Sequence, residues 1–202
     1  MKYLKTLIIA GIAAAALTAF VGSGAASATV LCKTTTTPCS SPYAKGTTFV
    51  PTLTGSNLME TLSGETLNTC TGTLIKVTIE NGGSSTATVS GPANEMIAIG
   101  CTKHTTTVKT GSLEIHHIAG TDDGTVTGLL AEVTINGIFG VSCTYGAGTS
   151  TDVGVLTGGA SPTLKVNAII KKTAGGFICP AETRWTGEYK VTEPTPLYVE
   201  AS

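Results

Sequence analysis

From Thr47 onward, apolar and polar residues alternate at every second position, the period of a strand with one buried face. Ile75, Val77 and Ile79 alternate with Leu74, Lys76, Thr78 and Glu80. Val133 and Ile135 are set between Glu132, Thr134 and Asn136. Phe139, Val141, Cys143 and Tyr145 fall on one face, as do Leu164, Val166, Ala168 and Ile170. The last long segment opposes Trp185, Tyr189 and Val191 to Arg184, Thr186, Glu188 and Lys190. Turn signals punctuate these runs: Asn81-Gly82-Gly83, Asp122-Asp123-Gly124, Asn136-Gly137, Gly158-Gly159 and Gly175-Gly176. No helical stripe follows the first 28 residues. Many short alternating strands with frequent turns predict an all-β fold, an antiparallel β-sandwich stapled by disulfides, in preference to a closed barrel.

The pattern also sets boundaries. Lys2 and Lys5 precede an apolar stretch from Leu7 to Val21, and small residues lead to Ala26-Ser27-Ala28. This order predicts a cleaved signal peptide over residues 1–28. Bulky Leu31 before Cys32 disfavours lipid attachment there. Residues 29–46, with Thr34 to Thr37, Pro38 and Pro42, read as an N-terminal loop tied by a disulfide, and residues 47–202 as the sandwich domain. No second apolar run is long enough to span a membrane.

Composition sharpens the compartment and removes one class of partner. Only 12% of the chain is charged, so no basic stripe exists to neutralise phosphates, and nucleic acid is not expected as a partner. With Lys2 and Lys5 in the leader, 12 basic and 13 acidic residues leave the mature chain near −3. Thr occupies 36 of the mature positions, which suits strands and turns and disfavours helix. All six cysteines (Cys32, Cys39, Cys70, Cys101, Cys143 and Cys179) lie beyond the cleavage site, and an even count in an exported chain reads as disulfides. Six cysteines allow about 15 pairings; the sequential one, Cys32–Cys39, Cys70–Cys101 and Cys143–Cys179, is preferred. No Cys-x-x-Cys or His-x-x-x-His spacing supports a zinc or redox site.

Candidate chemistry is sparse. A two-residue hairpin at Thr110-Gly111 would place His104 opposite His117, on the face of Val108, Leu113 and Ile115, with His116 beside Glu114 on the other. Two such imidazoles lack an identifiable third ligand. Asp122-Asp123-Gly124 omits the ligand spacing of a calcium loop and reads as a turn. Glu114, Glu132 and Glu188 are separated on polar faces and form no glycosidase pair. No Gly-x-Ser-x-Gly occurs, and the glycine-rich stretch from Gly154 to Gly159 leads into no helix, so neither a nucleophile elbow nor a phosphate cradle is expected. Trp185 and Tyr189 would stack on a sugar if exposed, but their alternation with charged residues places them in the core. No catalytic, cofactor or metal residue is assigned.

Read in order, Leu31-Cys32-Lys33 with Pro38-Cys39, Thr69-Cys70-Thr71, Leu113-Glu114-Ile115-His116 and Gly140-Val141-Ser142-Cys143-Thr144-Tyr145-Gly146 form a series. It continues with Leu156-Thr157-Gly158-Gly159, Gly176-Phe177-Ile178-Cys179-Pro180, Trp185, and Val191-Thr192-Glu193-Pro194 before Leu197. In these motifs the mature chain resembles a family of uncharacterised secreted proteins of soil actinobacteria. The resemblance implies export and a β-rich, cysteine-stapled fold in a bacterial protein, and it transfers no catalytic residue. The expected function is a secreted, non-enzymatic module of the extracellular space or cell envelope, structural or adhesive, with no cofactor and an unknown partner. The alternative is a binding protein for a small glycan or apolar ligand, held in a groove at the sandwich edge or between its sheets.

Overall fold

The computed structural model describes residues 29–84, 86–138 and 140–202. The expected signal peptide and Phe139 lie outside the described residues. Thirteen strands form, every pairing is antiparallel, and no helix occurs among the described residues. In chain order they are β1 Thr29–Cys32, β2 Thr48–Leu53, β3 Asn57–Thr61, β4 Thr66–Thr78, β5 Asn81–Ser84, β6 Ala87–Cys101 and β7 Thr105–His117. Then follow β8 Gly124–Ile138, β9 Val141–Gly146, β10 Asp152–Thr157, β11 Thr163–Ala174, β12 Glu182–Glu193 and β13 Tyr198–Ala201.

The arrangement is sandwich-like, with antiparallel layers on one hydrophobic core, and its ladder closes on itself. The path runs β4–β6–β7–β8, then through β9 and β10 to β11, on to β12, and back to β4 through β2 and β3. Long strands bend from one layer into the next at bulges. One such corner lies where β7 and β8 lose register between Thr110 and Leu113, opposite Gly128 and Leu129, both of which have positive φ. Another lies in β6 beside Ala93, where its pairing to β4 shifts. A two-stranded ribbon of β1 and β13 stands apart from the large sheet.

The period-2 faces pack as their alternation demands. Ile75, Val77, Ile79, Val133, Ile135, Cys143, Tyr145, Leu164, Val166, Ala168, Ile170, Trp185, Tyr189 and Val191 are all buried in one cluster. Val141 departs from its face and is exposed at the start of β9, next to the bulge where the pairing with β8 shifts between Asn136 and Ile138. The disulfides join Cys32 to Cys39, Cys70 to Cys101 and Cys143 to Cys179, and no described cysteine is free. Three bridges in one domain fit an oxidising, extracellular environment.

Three local expectations are corrected. Residues 29–46 do not begin as a loop, since Thr29–Cys32 pairs with the C-terminal strand and Leu31 sits in the core. Asn81-Gly82-Gly83 is strand rather than turn: it pairs with β6, and glycine there lets the backbone of Thr29 lie against Gly83. Thr110-Gly111 makes no hairpin, because β7 runs through it and bends, and the reversals fall at 102–104 and 118–123. The Asn136-Gly137 signal is displaced slightly: Gly137 has positive φ, and its carbonyl accepts from the Gly140 N–H to close the turn.

Candidate functional site

The sequence candidates are dispersed, and two of them, His117 and Asp123, hold turns through their side chains. Because β7 is continuous, His104 and His117 flank its two ends instead of facing each other. The His104 backbone N–H donates to Asn68 Oδ1 at 3.3 Å, and its carbonyl accepts from Asn68 Nδ2 at 2.7 Å. His117 Nε2 lies 2.8 Å from the Thr121 carbonyl, and its backbone N–H donates to Thr29 Oγ1 at 2.9 Å. His116 stands 3.5 Å from Glu114 on the same strand. Asp123 Oδ1 accepts from the Gly158 N–H at 2.9 Å, so the Asp122-Asp123-Gly124 turn is tied to the loop after β10. Glu132 pairs with Lys109 at 3.7 Å on the surface, and Glu188 is exposed on β12. Among the described residues, no three His, Cys, Asp or Glu side chains gather to hold a metal.

Trp185 and Tyr189 are buried and offer no sugar platform. Tyr189 Oη sits among Asn57, Trp185 and Thr73 without a well-aligned hydrogen bond to any of them. Burial pushes its phenol up to about 12, against a smaller opposing pull from those three neighbours. On the outer face of β3, β11 and β12, Glu60, Arg184, Asn167, Thr186 and exposed Ile169 line an open groove of mixed polar and apolar character, with Glu60 and Arg184 at 3.4 Å. It contains no aromatic residue.

The site the sequence did not reveal is a seam in the wall. The ladder between β6 and β7 covers only Val89–Pro92 with Ser112–Ile115. Beyond it, β6 follows β4 and β7 follows β8, and the two form no further paired positions up to their connecting turn. Behind this opening lies an apolar crevice between the layers. Met96 and Ala98 border it from β6, Thr106 and Val108 from β7, and Leu130 and Val133 from β8. Met59, Cys70 and Trp185 complete its lining. Asn57 and Asn68 are its buried polar members. Asn57 Nδ2 donates to Thr73 Oγ1 at 2.9 Å. Asn68 Nδ2 donates to the His104 carbonyl and Thr106 Oγ1, while its Oδ1 accepts from the Thr69, Lys103 and His104 N–H groups.

The crevice is narrow, with about 20 Å³ of space, room for roughly one water molecule. Two methionines and a disulfide give it a soft, adaptable wall suited to a small apolar group. A sequence signal for it existed. Asn57 shares its strand face with Met59, and Asn68 shares one with Cys70, so two amides stand at inward positions. No protein family, curated protein or solved structure compared with the chain matches it.

Proposed function

We propose that the protein is a secreted, non-enzymatic module of the extracellular space or cell envelope, structural or adhesive in action. One observation carries this reading: the side chains best suited to chemistry are spent on the fold. The His117 and Asp123 side chains fasten turns, His116 pairs with Glu114, Trp185 and Tyr189 fill the core, and every described cysteine is bridged. Catalysis needs a nucleophile, a base and a stabiliser placed together, whereas these groups are distributed along the molecule. The test is fractionation of producing cells, with thiol titration and peptide mapping of the recovered chain. The expected product begins after Ala28, is fully oxidised, and is found in the envelope or medium. A reduced cytoplasmic chain would refute the assignment. So would hydrolysis of a polysaccharide or peptide that vanished in a single carboxylate variant of unchanged melting temperature.

The crevice favours a second reading, a binding protein for a small apolar ligand. It supports an apolar ligand over a glycan, because the open groove on the outer face has no aromatic surface for a sugar ring. A ligand larger than a water molecule would enter by widening the gap between β6 and β7. Trp185 is the single tryptophan and lines the crevice, so its emission reports occupancy. Titration with a short alkyl alcohol should change that emission saturably, and Ala98→Phe should abolish the change by filling the space. An unsaturable response shared by that variant would exclude the crevice as a binding site.

A further inference from the structure

The two ends of the molecule differ in kind. One is closed by the β1–β13 ribbon, whose Leu31 and Val199 are buried in the core. Strands β3, β6, β8 and β11 run toward the other end, and β4, β7, β9 and β12 run away from it. That end therefore carries the β3–β4, β6–β7, β8–β9 and β11–β12 turns as a rim. Several large apolar side chains stand exposed there. Phe177 is 97% exposed, Leu62 48%, Ile178 43% and Val141 36%.

The Phe177 loop is held rigidly. Cys179 is bonded to Cys143, its N–H donates to the Gly176 carbonyl, and Lys172 Nζ donates to the carbonyls of Gly176 and Cys179 at 3.1 and 3.2 Å. A phenyl ring displayed on a stapled loop loses little conformational freedom when it docks. Charge is polarised along the same axis. The rim has Lys103, Lys171 and Lys172 against Glu65 and Glu182. The ribbon end has Glu80, Asp122, Asp123, Glu193 and Glu200 against Lys33 and Lys45.

We propose that this rim seats the protein on an anionic lipid surface, Phe177 entering the acyl boundary and Lys171 standing at headgroup level; this deepens, and rests on, the envelope reading. Apolar side chains exposed on turns at one end of the molecule suit a fluid phase that closes around them, whereas a protein partner would need a matched surface. Lysines beside the tips attract anionic headgroups, and the acidic far end is repelled, which sets the orientation.

The test uses the oxidised mature chain carrying Phe177→Trp, with buried Trp185 as constant background. Vesicles are made of equal parts phosphatidylglycerol and phosphatidylcholine, or of phosphatidylcholine alone. On the anionic vesicles the new tryptophan should shift to the blue and be quenched by brominated acyl chains. In the otherwise native chain, Phe177→Ser should weaken vesicle binding about tenfold, the share expected for one buried ring. Lys171→Glu and added salt should weaken it as well. Phe177→Ser should melt with the native protein, since Phe177 packs on so little. No emission shift on either vesicle, equal binding to both, or binding indifferent to Phe177→Ser would each overturn the proposal. Capture of the rim by an envelope protein without vesicle binding would overturn it too. If Phe177→Ser still fractionates with the envelope, the rim proposal fails while the envelope reading stands.

Discussion

Two tyrosines lie wholly inside the core, and their hydroxyls have different surroundings. Tyr145 Oη has no hydrogen-bond partner among the described residues, and burial raises its pKa. A buried hydroxyl that has left water without a partner costs about 1–3 kcal/mol, so Tyr145→Phe should leave stability unchanged or raise it by about 1 kcal/mol. Urea unfolding decides this, and a loss above about 1 kcal/mol would reveal a bond that the geometry lacks. Tyr189 instead makes a pH prediction. Its phenol is held near 12 against an ordinary value of 10, so the folded state keeps the proton that the unfolded chain releases. Stability is therefore fully present below pH 10 and declines from about pH 10 to 12, by an amount of order 2–3 kcal/mol. The raised pKa of Tyr145 adds to the same decline. Tyr189→Phe should flatten the profile across that window, and an equally steep profile in the variant would place the titration elsewhere.

At the scale of elements, the informative feature is the hairpin that opens. Asn68 substitutes for the missing ladder between β6 and β7, since one amide serves five hydrogen-bonding groups around their turn. Asn68→Ala should cost about 1–3 kcal/mol, beyond a typical surface substitution, because it leaves several part-buried backbone groups without their partner at once. Asn68→Asp keeps the acceptor and should fall between, with amide exchange at Lys103 and His104 reporting the loss directly. Comparable stability in all three proteins would mean that the turn holds itself. Cys143–Cys179 is the corresponding device at the β11–β12 turn. Replacing both cysteines by Ala frees a loop with separation 36 and should cost about 3–4 kcal/mol in the chain-entropy account, measured as a drop in the urea midpoint. Faces such as Leu164 to Ile170 were legible because alternation is local. The seam was not, because where β6 leaves β7 depends on the pull of β4 and β8 on either side. Gly111 misled for a related reason: glycine marks a bend, and nothing in a dipeptide tells a reversal from a corner within a continuous strand.

For the whole molecule, closure is the property that alternation hides. A strand facing the core of a sandwich and one facing the interior of a closed ladder carry the same period, so joining β12 to both β11 and the β2–β3 pair leaves no local mark. The terminal ribbon was equally obscure. Thr29–Cys32 is too short to show a period, and it meets its partner at the far end of the chain. Its attachment nonetheless gives a sharp prediction through Gly83. This residue has φ +86, and a Cβ placed on it would lie only 1.7 Å from the Thr29 carbonyl oxygen. Gly64 has nearly the same backbone, φ +90, but open space around it. Gly64→Ala should therefore cost only the left-handed conformation, about 1–2 kcal/mol. Gly83→Ala must pay that and also push β1 from the core, so the ribbon should detach and expose Leu31. Its cost should exceed that of Gly64→Ala by several kcal/mol, at the severe end for one substitution. Urea unfolding gives the comparison, and binding of a hydrophobic dye to folded Gly83→Ala, but not to Gly64→Ala, should reveal the uncovered end. Equal midpoints for the two variants would show that the ribbon can yield at that contact without leaving the core.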